Sequence, residues 1–490
     1  MLNSFNPVTK ILSGQEEAPI FNPGISLGRI IFECLQNRSN EVLQHNITDN
    51  IKLTRKDVLK KSIQIAMFLR DQDLKENYVV SMISTPTSFQ LPIIYGCVLA
   101  GNPLHILPPL TGNIDIIKSL CSQTRPKLIF CTENFLKYFE CFKAKIVLID
   151  SVKDIFCKFQ DETKFQPSTV SGNAPAIILN TTGSTGHPKP VPKSHSSFIS
   201  TLKIDLKQRV ILARQLQALP MIQELFQILI SNSKLIQSND EITLSDLPGI
   251  IEKHDITKIT VLPNFLESLF KRLPDFIKEF QLLEEIVCIG WILPTYVKEE
   301  VQGRLSPSCK LYDAYGCSEV GTISINSKLV DLEVKIIDDQ GRSLGPGNRG
   351  EIVVKRFKEN KWITPGDMGF IDEFNDLHIL DRKGDVFHLN NSKIYPSEIE
   401  NELLRVSGVQ HAYVTTVGDG FLIALIVKEE SSKVSENDVK ENILKIHYEF
   451  HGRIYFLENL RSISQNMKIN RKLVKKVAEE FWISSKSTIA

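Results

Sequence analysis

Short runs of apolar and β-branched residues recur along the first two thirds of this chain, and helical patterns lie between them. The runs include Val79-Val80-Ser81-Met82-Ile83, Leu128-Ile129-Phe130-Cys131, Lys145-Ile146-Val147-Leu148-Ile149, Ala176-Ile177-Ile178-Leu179 and Ile259-Thr260-Val261-Leu262. Helical apolar spacing marks Ser88 to Ala100 and Asn264 to Arg272. Strands that alternate with helices imply parallel pairing, because the helix returns the chain to the edge from which it left. The expected fold class is therefore α/β, with a large N-terminal domain of parallel-type sheets covered by helices. A length of 490 residues allows such a domain and a smaller companion. With 42% hydrophobic and 23% charged residues, the chain has a globular and not a disordered composition.

From Leu332 to Lys355 the pattern changes to strands joined by tight turns at Asp339-Gln340-Gly341 and Pro346-Gly347-Asn348, which predicts a small β subdomain. Past Arg382 the chain becomes more polar and Lys-rich. A helix signal starts at Pro396-Ser397-Glu398-Ile399-Glu400, and strand signals cover Ala412 to Val417 and Phe421 to Val427. These features predict a domain over 1–381 and a small mobile α+β C-terminal domain over 382–490, which is within the usual domain size range.

Lys and Arg number 58 against 57 Asp and Glu, so no global field attracts nucleic acid, and no nucleic-acid partner is expected. The nine cysteines are scattered and never form a CxxC pair, the usage of reduced thiols and not of a zinc site. The longest apolar region, Val79 to Leu110, is broken by polar residues and prolines, so no transmembrane segment is expected. The first residues lack the basic start and apolar run of a signal peptide, and the C-terminal Thr-Ile-Ala is not a peroxisomal address. The expected location is cytoplasmic.

One segment carries more chemistry than the rest. Thr181-Thr182-Gly183-Ser184-Thr185-Gly186-His187-Pro188-Lys189 follows a strand signal directly. Hydroxyls and glycines on a tight loop let backbone N–H groups approach phosphate oxygens, and Lys189 adds a positive charge. The P-loop pattern does not fit, since His187 and Pro188 separate Gly186 from the lysine and Pro190 follows it.

This run resembles the phosphate-loop signature of the adenylate-forming superfamily, which includes acyl-CoA synthetases, adenylation domains of nonribosomal peptide synthetases, and luciferases. Further motifs occur in that family's order. Tyr315-Gly316-Cys317-Ser318-Glu319 resembles its Tyr-Gly-x-Thr-Glu; Glu319 offers a hard oxygen to Mg²⁺, and Tyr315 a ring that can stack on a purine. Gly366-Asp367 matches the aspartate that grips ribose hydroxyls. Asp381-Arg382-Lys383-Gly384-Asp385 resembles the hinge, with Arg382 at the nucleotide-contacting arginine. Ser464 to Lys472 resembles the terminal lysine segment and places Lys468 at the catalytic lysine. The resemblance covers roughly residues 50 to 480 and is of the acyl-CoA synthetase type.

The resemblance implies ATP-dependent activation of a small-molecule carboxylic acid to acyl-AMP, followed by thioester formation with CoA. It implies ATP, Mg²⁺ and CoA as cofactors, with the 1–381 domain binding AMP. Thr181, Thr182, Gly183, Ser184, Thr185, Gly186 and Lys189 would hold phosphates, and Tyr315, Gly316, Ser318, Asp367 and Arg382 the nucleoside. Glu319 would hold the metal, and Lys468 would bridge carboxylate and α-phosphate. Two alternatives remain open here: loading of a carrier-protein phosphopantetheine thiol, and a non-catalytic nucleotide- or acyl-binding relative.

The chain also departs from the pattern. Met467 replaces glycine before the lysine, Gly384 replaces Asp or Lys at the hinge, and Asn391 replaces a glycine on the thiol route. Glu319 and Asp367 are only 48 residues apart. Cys288 to Pro294 lacks paired glycines, and Gln223 stands at a gate position where the family has His. Retained core chemistry with a diverged substrate shell is the expectation, and the thiol step is the more exposed to these changes.

Overall fold

The computed structural model describes every residue except 1–2, 16–19, 23, 38–39, 110–113, 141, 181–187, 204–208, 214–218, 273–281, 358, 390–391, 419, 445–451, 466–467 and 488–490, and the side chains of 213, 270, 272, 442–444, 464–465, 468 and 486–487. The chain forms two compact units, one of residues 17–260 and one of residues 1–16 with 261–490. The boundary expected at Arg382 lies inside the second of these.

In the 17–260 unit, strands Leu104–Ile106, Val80–Ile83, Leu128–Cys131 and Lys145–Leu148 pair in parallel, and Pro175–Asn180 joins them beside Leu104–Ile106. A second parallel set has Val210–Ala213 between Lys234–Gln237 and Lys258–Val261, with Val42–Asn46 beyond Lys234–Gln237. The helix Gln90–Ala100 is buried at every position, as its unbroken apolar sequence requires. Gly96 lets it approach the Arg55–Asp71 helix: a Cβ there would lie 2.6 Å from the Ile65 side chain. That second helix starts with a capping box between Thr54 and Asp57. Its first residue, Arg55, is buried and donates to the carbonyls of Ile228 and Leu229 at the C-terminal end of the Leu219–Ile230 helix.

In the other unit, strands Leu332–Ile337, Gly350–Arg356, Asp367–Ile371 and Leu377–Arg382 form an antiparallel sheet, which is the expected β subdomain. The N-terminal hairpin Ser4–Asn6 and Ile11–Ser13 extends that sheet beside Leu332–Ile337, a partner from the far end of the chain that local pattern does not reveal. Strand Glu285–Cys288 runs parallel to Lys310–Cys317, which turns back into Gly321–Ile325. The last part holds Val409–Val417, Phe421–Lys428 and Gly452–Leu457 as a mixed sheet, with helices Pro396–Leu403 and Arg471–Ser487 packed on Val409–Val417. This is the expected α+β arrangement.

Among the described residues no helix is long and apolar enough to cross a membrane, and the eight described cysteines are all free thiols.

Candidate active site

The hairpin of Asp367–Ile371 and Leu377–Arg382 pairs Asp367 with Arg382. Gly366, at φ +86°, makes the turn that leads into it, a conformation that glycine adopts without a Cβ penalty. Arg382 Nε stands 3.0 Å from Asp367 Oδ1, and the Tyr315 hydroxyl donates to Asp367 Oδ2 at 2.6 Å. A further donation, from Arg382 Nη1 to the Pro365 carbonyl at 2.8 Å, fixes the guanidinium. Burial pushes the Asp367 carboxyl above the usual carboxylate range, opposed by Arg382 and by the Tyr315 hydrogen bond. Burial likewise holds the Tyr315 hydroxyl well above its ordinary value, with Asp367 adding to the effect, so it remains a donor. An ionised carboxylate has about four acceptor sites. The two interactions above leave capacity for further donors, such as a ribose diol.

Strand Lys310–Cys317 brings Tyr315 to this carboxylate. A Cβ on Gly316 would lie 2.4 Å from the Gly321 carbonyl oxygen, so the backbone here can approach its neighbour only as glycine. The Tyr315 side chain packs against the apolar cluster that contains Ile323 and Leu332, and its hydroxyl is committed to Asp367. This anchors the ring more firmly than a surface stacking partner would be. Ser318 and Glu319 occupy the following turn, Ser318 half-buried and Glu319 exposed. Burial pushes the Cys317 thiol up to about 11, and the neighbouring Glu319 carboxylate contributes. Among the described residues no group of three or more His, Cys, Asp or Glu could hold a metal. Mg²⁺ does not need one, because it keeps waters and is usually held by one or two carboxylates together with substrate phosphates. A single exposed Glu319 therefore fits that ion.

The phosphate-loop residues Thr181, Thr182, Gly183, Ser184, Thr185, Gly186 and His187 lie outside the described residues. Their flanks, in the 17–260 unit, are described: Asn180 ends one strand, Pro190 begins the next, and the two are register partners. Lys189 is exposed just before Pro190. Asn180 donates from Nδ2 to the Ile106 carbonyl at 2.7 Å and accepts on Oδ1 from His105 Nε2 at 2.9 Å. Burial lowers the His105 pKa to about 4, so the imidazole is neutral. Nothing around His105 in the sequence marks it as a partner of Asn180; the pairing of distant strands does.

Lys468 is described in its backbone only, where Gln465 and Lys468 pair in the hairpin Ser464–Gln465 and Lys468–Ile469. Met467 and Asn391 lie outside the described residues. Gly384 has nothing within 4 Å of an added Cβ, so no close approach demands glycine there. Trp291 and Gln223 are both half-buried. Sequence reasoning missed Arg471, Glu400 and Asp381, which form a largely buried charged cluster: Arg471 Nη2 lies 2.8 Å from Glu400 Oε2 and 3.9 Å from Asp381 Oδ1. The charged residues of 381–385 and 398–402 are plain in the sequence, but only the fold pairs those segments with residue 471.

Comparison with known proteins converges on one family. The model for the AMP-binding enzymes matches residues 33–358. The 4-coumarate–CoA ligase CCL1 of Humulus lupulus is 22% identical over 480 residues, covering 87% of this chain and 85% of the relative. The 2-succinylbenzoate–CoA ligase of Bacillus pumilus is 27% identical over 344 residues, covering 61% and 68%. Among solved structures, ATP-bound MatB from Rhodopseudomonas palustris superposes with a TM-score of 0.82 at 16% identity, over 94% of this chain and all of that one. The anthranilate CoA ligase AuaEII in complex with anthranoyl-AMP gives 0.84 at 16% identity, over 94% and 99%. With the α/β fold, the Tyr315–Asp367–Arg382 constellation and a family match over most of its length, the chain belongs to the AMP-binding enzymes.

Proposed function

We propose that this protein is an AMP-forming acid–thiol ligase that uses CoA. A carboxylate oxygen attacks the α-phosphorus of ATP, and the bond to the β-phosphate oxygen breaks to release pyrophosphate. The CoA thiol then attacks the acyl carbon, AMP leaves, and a thioester forms. The observation that carries this reading is the buried Asp367 carboxylate, held between the Tyr315 hydroxyl and Arg382 with acceptor capacity left for a nucleoside.

Each residue has a physical task. Asp367 and Arg382 bind and orient the ribose in the ground state. Glu319 would hold Mg²⁺, which when bound draws charge from phosphate oxygens. Thr181 to Gly186 and Lys189 would hold the β- and γ-phosphates, and Lys468 would neutralise charge that develops between the carboxylate and the α-phosphate. A rotation near Arg382 to Gly384 would exchange the 382–490 segment between the two steps. The relatives that are CoA ligases support CoA over a carrier-protein thiol.

ATP–pyrophosphate exchange across fatty, aromatic, dicarboxylic and amino acids tests the first step, and CoA-dependent release of AMP with a competent acid tests the second. Exchange with none of these acids would refute the reading.

A further inference from the structure

Only two residues, Ile469 and Asn470, separate the backbone of Lys468 from Arg471. The link between them is short and tied down. Asn470 donates its backbone N–H to the Ile463 carbonyl at 2.9 Å, which closes the base of the hairpin that carries Lys468. The Asn470 side chain accepts from the Lys472 N–H at 3.0 Å, which caps the helix Arg471–Ser487. Whatever holds Arg471 therefore sets where the root of the hairpin stands.

Arg471 is held by charge on more than one side. Its two terminal nitrogens bond the two oxygens of Glu400, a fork-to-fork geometry that fixes the plane of the guanidinium as well as its distance. Glu400, on the helix Pro396–Leu403, is itself fixed by accepting the Val414 N–H at 2.7 Å. The Tyr413 ring lies 5.9 Å from the guanidinium carbon. Asp381 Oδ2 accepts the Ser397 N–H at 3.1 Å, while its Oδ1 faces Arg471 at 3.9 Å.

Asp381 is the neighbour of Arg382 on one strand. Successive side chains of a strand point to opposite faces. One residue therefore faces the Arg471 cluster and the next faces Asp367 and the Tyr315 hydroxyl. A single strand end connects the nucleoside-holding carboxylate to the anchor of the Lys468 hairpin.

We infer that Arg471 is a positioning residue for the adenylation step: gripped by Glu400 and facing Asp381, it sets the root of the Lys468 hairpin against the strand end that carries Arg382. The inference rests on the acid-activating reading for what the lysine does, but the placement can be tested without turnover. A lysine at 471 keeps the charge and loses the fork, so Arg471→Lys is not a conservative change here. Arg471→Met combined with Glu400→Leu removes both charges of the tight pair and leaves neither one buried alone, which guards against simple misfolding.

The experiment uses the full chain as wild type, Arg471→Lys, and the double variant. Each is treated with an amine-acetylating reagent with and without ATP, and acetylation of Lys468 is read by mass spectrometry. Calorimetry gives ATP affinity, and pyrophosphate exchange gives kcat and KM for ATP. Expected are ATP-dependent protection of Lys468 in the wild type, its loss in both variants, ATP affinity within about twofold, and a kcat lower by up to about 10²-fold at unchanged KM, the scale of a small misplacement of a reacting group. Protection retained in the variants, or absent from the wild type, would overturn the inference. A loss of ATP affinity as large as the loss of kcat would also overturn it, since that is the mark of general disruption. If no acid supports exchange while the protection pattern holds, the positioning stands and the ligase reading fails.

Discussion

Asp367 and Arg382 are register partners on adjacent antiparallel strands, and the Arg382 Nε lies 3.0 Å from Asp367 Oδ1. The pair gathers residues that are far apart in sequence, because Tyr315 reaches the other carboxylate oxygen from a different sheet strand. A carboxylate that is already oriented before a ligand arrives would lose little freedom on binding the nucleoside proposed for it.

Removing that carboxylate should weaken nucleotide binding itself. Asp367→Ala leaves the Tyr315 hydroxyl without its acceptor and would take two acceptor oxygens from a ribose held as proposed. The expected cost is about 1–3 kcal/mol in ATP affinity, measured by calorimetry on folded variant. Unchanged affinity would leave Asp367 a structural residue of its strand pair with Arg382.

The second prediction concerns pH. Burial raises the Asp381 pKa from its ordinary 3.8 to about 7; Glu400 adds to the rise, while Arg471 and the Ser397 N–H oppose it. Burial dominates because Arg471 is bonded closely to Glu400 and stands 3.9 Å from Asp381. Between these two pKa values the native state binds the extra proton, so this group's contribution to stability is full below about pH 4 and is lost as pH rises through about 7. Asp381→Asn keeps an acceptor for the Ser397 N–H and removes the titration. Its melting temperature should gain on that of the wild type from pH 4 to pH 7, and a constant difference over that range would contradict the assignment.

Glu267 and His411 make a buried pair in which His411 Nδ1 lies 2.5 Å from Glu267 Oε2, and Ser268 Oγ lies 3.3 Å from Nε2. It joins the helix Pro263–Arg272 to the strand Val409–Val417. Lys271 reinforces the junction through the carbonyls of Leu404 and Val409. His411→Leu should leave the buried Glu267 carboxyl without its hydrogen-bond partner and destabilise the protein by about 1–3 kcal/mol, whereas Glu267→Leu with His411→Leu should recover most of that loss. Thermal unfolding of the three proteins decides it: a double variant as unstable as the single one would mean that packing, not the hydrogen bond, holds the junction.

The parallel strands of the 17–260 unit were legible because a buried parallel strand is a short apolar run with a helix after it, and Leu128–Cys131 matches its run to the residue. The antiparallel sheet was legible in its turns at Gly341 and Gly347, both at φ +78°. What stayed hidden depends on partners distant in sequence. The N-terminal hairpin pairs with Leu332–Ile337, His105 supports Asn180 from 75 residues away, and Arg471 reaches Glu400 from 71 away. Tyr315, Asp367 and Arg382 were found through motif resemblance, but the hydroxyl-to-carboxylate bond that joins them follows only from strand pairing.

The final prediction separates the two half-reactions at Gly384. An added Cβ there meets nothing within 4 Å, so Gly384→Ala should fold with a stability change within about 0.5 kcal/mol, as for an ordinary surface site. Glycine has the widest backbone freedom of any residue, and a side chain narrows the conformations through which the 382–490 segment could rotate. In the proposed scheme adenylation in one orientation would not require that rotation, whereas transfer to the thiol would. Gly384→Ala should therefore slow CoA-dependent AMP release several-fold while pyrophosphate exchange stays close to the wild-type rate. With a competent acid, both rates can be measured on the same preparation. Equal slowing of the two would place the effect of Gly384 outside the rotation, and faster release with unchanged exchange would mean that the freedom of glycine hinders the second orientation instead of serving it.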